Sequence, residues 1–173
     1  MSGRSNRKKA KDASASVDGE TASPDFGFLA ELVSFHFRML SIELNRAYDH
    51  SFADTPLAGG TGKLSTLIVV ANNPGVSQTS VAKALDKDRS AMVKLVDHLE
   101  AKELIVRHPS PKERRTYALQ LTDKGRSLLD QVTNIACRYD EDFFSVLTDE
   151  ERDELVRILK KLRRHHEPGT AGL

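Results

Sequence analysis

The sequence predicts a mainly α-helical fold with a small β-wing: a winged helix-turn-helix domain carried between long N- and C-terminal helices. Three observations point there. Two short apolar-periodic segments follow one another across a tight turn, Val81, Ala82 and Leu85 in the first, Met92, Leu95, Val96 and Leu99 at i, i+3, i+4 and i+7 in the second. Directly after them Ile105 and Val106, then Tyr117, Leu119 and Leu121, supply two short strands around the basic turn SPKERR. On both sides, long stretches keep a helical apolar period.

Residues 1–24 are rich in Ser, Ala, Lys, Arg and Asp, with Val17 the one large apolar residue after Met1. Such a segment cannot bury enough surface to offset its ordering entropy, so a disordered basic arm is expected. Its cluster of Arg4, Arg7, Lys8, Lys9 and Lys11 is either a solvated tail or an auxiliary phosphate contact.

Residues 25–57 are read as one N-terminal unit, with a helix over 25–53. Phe28, Leu32, Phe35, Met39 and Ile42 form one stripe, and Leu29, Val33, His36, Leu40, Leu44 and Ala47 form an adjacent one. An apolar arc this wide is usually covered on two sides, by the helix's own domain and by a partner chain. Pro56 and the glycines at 59, 60 and 62 then break the helix.

The unit expected to bind DNA covers 58–121. LAGGTGKLS resembles a phosphate loop, but Leu57 stands where that motif needs glycine and Leu64 where it needs Ser or Thr. It is therefore read as a loop leading into a helix faced by Leu64, Leu67, Ile68 and Ala71, which Pro74 and Gly75 end. Ser77 and Asp88 are placed to cap the next two helices. Pro109 and Pro111 bracket the turn between the strands and blunt any ladder there.

The unit at 122–166 is read as two helices, followed by a tail at 167–173. Thr122 caps the first, whose stripe is Leu128, Val132, Ile135, Tyr139, Phe143 and Val146. Thr148 and Glu151 form a capping box for the second. That helix opens with Asp149, Glu150 and Glu151 and closes with Lys160, Lys161, Arg163 and Arg164, a polarity that suits the helix dipole.

Charge agrees with a nucleic-acid partner at one place. The chain of 173 residues has a net charge of only +1, yet Lys83 to Arg126 holds eleven basic against seven acidic residues. From Ser127 onward the count is seven against ten, so the basic excess sits on the helix pair, the wing and the arm. Cys137, the one cysteine, allows no intramolecular disulfide and no zinc cluster, which suits a cytoplasmic protein. No apolar run approaches the ~18 residues of a membrane span. No nucleophile–base set, metal-ligand spacing or nucleotide loop suggests an enzyme or a cofactor.

In a helix-turn-helix the N-terminal part of the second helix meets base edges. With Met92, Leu95, Val96 and Leu99 inward, Ser90 and Lys94 point outward, flanked by Ala91 and Val93. These four are the candidates for base readout: Lys94 as a donor to guanine, Ala91 and Val93 as contacts to a thymine methyl. Arg89 suits a phosphate or the helix–helix corner, and Gln78 and Thr79 open the preceding helix toward a phosphate. Lys112, Arg114 and Arg115 at the wing tip can reach a minor groove, although such a turn alone also reads as ordinary solvated surface.

The stretches NPGVSQTSVAKAL, DRSAMVKLVDHLEAKELIVR and ERRTYALQLTDKG closely resemble the MarR family of transcription regulators, over roughly residues 28–164. The resemblance implies a homodimer built from the 25–53 helix and the two C-terminal helices. It implies a pseudo-palindromic double-stranded DNA operator, with recognition helices about one helical turn (~34–36 Å) apart. It further implies a repressor released by a small aromatic acid or its acyl thioester. Ser110 and Glu113 depart from the family's wing pattern, and Ala91 and Val93 replace hydroxyl-bearing residues of its recognition helix.

His36 and Arg46 lie on the apolar stripes of the first helix, so they are candidate partners for an effector's carboxylate or phosphate. The alternatives are a satisfied core histidine and an arginine paired with an acid. Cys137, mid-helix beside Asp140, Glu141 and Asp142, is expected to be an inert thiol. An alternative to the regulator is a winged-helix interaction module without specific DNA binding.

Overall fold

A computed structural model describes residues 24–109 and 117–166. The basic arm and the wing-tip residues Lys112, Arg114 and Arg115 lie outside the described residues. The elements are α1 (Val33–Ser51), α2 (Gly62–Asn72), β1 (Val76–Ser77), α3 (Gln78–Ala84), α4 (Arg89–Ala101), β2 (Ile105–Pro109), β3 (Tyr117–Leu121), α5 (Asp123–Phe143) and α6 (Asp149–His166).

The first helix starts later than the 25–53 reading placed it. Gly27–Glu31 is a 3-10 turn, and Leu32 is extended at φ −88°, ψ 120°. Asp25 Oδ1 accepts from the Gly27 N–H at 2.8 Å, and Gly27 takes φ +52°. That local turn competes with helix at 25–32, so α1 begins only at Val33. The helix ends at Ser51, and the chain then turns back through Phe52 and Leu57, both fully buried.

The sheet has three strands, one more than expected. Val76–Ser77 forms an antiparallel edge beside β3, with Val76 opposite Leu119 and Ser77 opposite Ala118. Strand β2 pairs antiparallel on the other side of β3, from Ile105 opposite Leu121 to Pro109 opposite Tyr117. The strand order is therefore β1-β3-β2.

Four helix starts are capped at the expected side chains. Ser77 Oγ accepts from Ser80 N, Asp88 Oδ1 from Ala91 N and Thr122 Oγ1 from Gly125 N, at 2.7–3.0 Å. Thr148 and Glu151 make the reciprocal capping box. Each cap satisfies a helix donor that has no partner within its own helix.

One continuous core joins Tyr48, Phe52, Leu57, Leu67, Val70, Val81, Met92, Val96, Leu99, Leu104, Ile105, Leu119, Leu121 and Val132. The outer helices contribute little to it. On α1 only Phe35 and Tyr48 are buried, and α6 has no buried residue. Val33, Phe37, Leu40 and Ile42 stand exposed on α1, as do Val156, Ile158, Leu159 and Leu162 on α6. The expected α5 stripe stops short of Val146, which lies past the helix end and is 87% exposed. The aromatic seam between α1 and α5 is specific: Tyr48 stacks on Phe52 with ring centroids 4.2 Å apart and meets Tyr139 edge-on at 6.0 Å.

Candidate nucleic-acid interface

Helices α3 and α4 are held at their turn by Asp86, whose φ of +48° reverses the chain. Lys87 N donates to Ala82 O at 2.9 Å and closes that turn. Helix α4 then buries Met92, Val96 and Leu99 and leaves its other face open. Arg89, Ser90, Val93 and Lys94 are exposed, while Ala91 is half-buried and gives its N–H to the Asp88 cap.

Between α3, α4 and β3 lies an open concavity of about 1010 Å³. It collects Gln78, Thr79, Arg89 and Val93 from the expected set. It does not collect Ser90, Ala91 or Lys94, which lie outside its lining. Ala82, Lys83, Lys87, Met92, Glu100, Arg107 and Tyr117 complete the wall. Lys83, Lys87, Arg89 and Arg107 face a single acid there, Glu100, so the surface is net positive. Sequence reasoning missed Lys83, Lys87, Arg107 and Tyr117 as members of the site. The two lysines could have been found from the charge excess just ahead of the recognition helix, whereas Tyr117 gave no signal beyond strand alternation.

Within this wall Arg107 bonds to three side chains. Its side chain is 17% exposed, donating through Nη2 to Asp97 Oδ1 at 2.6 Å and through Nη1 to Glu100 Oε2. Gln78 Oε1 lies at 3.5 Å from Nη2. The guanidinium thus connects β2 to α4 and reaches α3.

The two candidate ligand residues lie apart from that surface. His36 Nε2 donates to Ala30 O at 2.8 Å and ties the 3-10 turn onto α1. Arg46 pairs with Glu43 at 2.8 Å with its side chain 71% exposed. A separate groove of about 370 Å³ runs between α2 and α5, lined by Leu64, Ile68, Thr133, Ala136, Cys137, Asp140 and Glu141. Arg152 of α6 closes its rim and pairs with Asp140. Cys137 is a free, exposed thiol on the groove wall.

No group of three or more metal-ligating side chains is gathered among the described residues. No helix among them is long and apolar enough to cross a membrane.

Comparison with known proteins matches this geometry to one group. The family model described as MarR matches residues 60–116. A protein of Thauera aromatica named as a proposed transcriptional regulatory protein for the hcr operon is 42% identical over 139 residues, covering 80% of this chain and 82% of its own. The repressor CouR bound to a 23-mer DNA duplex superposes with a TM-score of 0.75 at 30% identity, covering 82% of this chain and 99% of that one. CouR bound to p-coumaroyl-CoA superposes over the same shares with a TM-score of 0.73 at 29% identity. The chain belongs to the MarR family of transcriptional regulators.

Proposed function

We propose that this regulator is a homodimeric repressor that binds a pseudo-palindromic operator and is released by an aromatic acyl thioester. The observation that carries the DNA reading is the net-positive concavity between α3, α4 and β3, next to the exposed face of α4. In this reading Ser90, Ala91, Val93 and Lys94 meet base edges, while Gln78, Thr79 and Arg89 meet phosphates. Lys112, Arg114 and Arg115 reach the adjacent minor groove.

The dimer reading rests on the apolar faces that α1 and α6 leave uncovered in one chain. Joining two reading heads raises the effective concentration of each at its half-site. A ligand that changes the spacing of the heads then lowers affinity without touching the DNA surface.

The effector class follows from likeness to CouR, whose solved forms include one with DNA and one with p-coumaroyl-CoA. The α2–α5 groove suits an acyl end, with Leu64, Ile68 and Ala136 on its walls and the Arg152 cation at its rim. Arg46 and His36 are the further candidates for the charged end. Arg46 is held only by an exposed pair within one helix turn, which costs little to break.

A binding titration with the DNA upstream of the protein's own gene, repeated at several salt concentrations, tests this reading. The expected result is sequence-preferring binding whose log–log salt slope is about −0.9 per neutralised phosphate. Added p-coumaroyl-CoA is then expected to weaken the complex. Weak, sequence-indifferent binding that survives the double variant Lys94→Ala, Arg115→Ala would favour the interaction-module reading instead.

A further inference from the structure

We propose that Arg107 is a positioning residue for DNA binding: it masks two carboxylates on the recognition helix that would otherwise repel DNA and divert Lys94. The inference rests on the DNA-binding reading above. Asp97 and Glu100 lie on α4 one turn apart, Asp97 with a side chain 57% exposed and Glu100 with one 38% exposed. Asp97 follows Lys94 by three residues, the spacing at which helix side chains meet. The guanidinium of Arg107 takes one oxygen from each acid through separate nitrogens, a geometry that a planar fork can satisfy and an ammonium cannot.

The charge balance gives the reason. A helix seated in a major groove places its side chains within a Debye length, about 8 Å at physiological salt, of several phosphates. Two unpaired carboxylates there would oppose binding. Paired with Arg107 they leave one net negative charge, and their oxygens are turned toward β2. With Arg107 gone, Asp97 would be free to pair with Lys94, the cation assigned to base readout. Arg107 is itself held inward, only 17% exposed, so it acts through the acids instead of through a phosphate.

Three variants test this in the full chain, each titrated with the same operator fragment at several salt concentrations. Arg107→Met is expected to weaken binding by about tenfold or more. Adding Asp97→Asn and Glu100→Gln to it is expected to restore most of that loss. The pair Asp97→Asn, Glu100→Gln with Arg107 intact is expected to bind at least as tightly as the parent. The β2–β3 ladder is held by its own backbone bonds from Ile105 to Pro109, so the wing strand keeps its register without the guanidinium. Should Arg107→Met fail to fold, the last pair still decides, because weakened binding there contradicts masking. A triple variant as weak as Arg107→Met, with the salt slope smaller by about 0.9, would make Arg107 a phosphate contact and overturn the proposal. Parent protein that binds no DNA would instead overturn the DNA-binding reading.

Discussion

Gly125 lies so close to Leu104 that a β-carbon built on it would sit 2.0 Å from the Leu104 carbonyl oxygen. The same oxygen accepts from Thr122 N at 3.1 Å, and Thr122 Oγ1 donates to Glu103 O at 2.6 Å. The first turn of α5 is thereby fastened to the chain leaving the recognition helix. An alanine inside a helix ordinarily stabilises by about 1 kcal/mol over glycine. At this site the sign should reverse, because the obstacle is backbone and cannot swing aside. Gly125→Ala is expected to lose about 2–3 kcal/mol in a urea titration. A neutral or stabilised variant would show that the first turn of α5 can move away from Leu104 at little cost.

Glu103 takes φ +60° in the turn between α4 and β2, a region that suits glycine. Its carboxylate pairs with Lys124 at 2.8 Å, and that hydrogen bond and charge hold its pKa below the ordinary glutamate value. Both side chains are exposed, so the pair should stabilise little. Glu103→Gly should therefore raise the thermal midpoint by roughly 2–4 °C. A lower midpoint would mean that the Lys124 pair outweighs the backbone strain.

Tyr48 is 2% exposed, and burial pushes its hydroxyl up to about 12 from 10.0, with the neighbouring Asp49 charge adding to the rise. The folded state thus favours the neutral phenol. Its contribution is whole below pH about 10, where the unfolded chain also keeps the proton, and is lost as pH climbs toward about 12. Stability measured by denaturant should fall across that window. Tyr48→Phe should flatten the fall and remove one late step from the tyrosinate absorbance titration. An unchanged alkaline profile would assign the loss to other groups.

What could be read from the sequence was what depends on neighbours along the chain. Ser77, Asp88, Thr122 and Thr148 were legible as caps because a short polar side chain must sit just ahead of an apolar period. The buried face of α4 was legible for the same reason of spacing. Strand β1 was not, since its two residues overlap the cap of α3 and exist as a strand only by pairing with Leu119 and Ala118. The break at Leu32 was hidden because the apolar period runs through it, and only the Asp25–Gly27 turn shows why helix stops there. Arg107 counted only toward the basic excess of Lys83 to Arg126, because its partners Glu100 and Asp97 lie seven and ten residues back on another element.

The uncovered side chains of α6 lead to a prediction about assembly. Ile158 and Leu162 are one helical turn apart, Val156 and Leu159 likewise, and all four are 37–42% exposed on a helix with no buried residue. A helix with that much exposed apolar surface and so little packing in its own chain gains its stability from a partner. Leu159→Glu places a charge in that face without disturbing the winged domain, whose core holds no α6 residue. Sedimentation should then show a shift from dimer to monomer. Operator affinity should fall by about 10²–10⁴, because each head must find its half-site alone. The per-head affinity for a half-site fragment should stay unchanged. A variant that remains dimeric with full operator affinity would mean that α6 is not where the two chains meet, and would leave the apolar face of α1 as the contact.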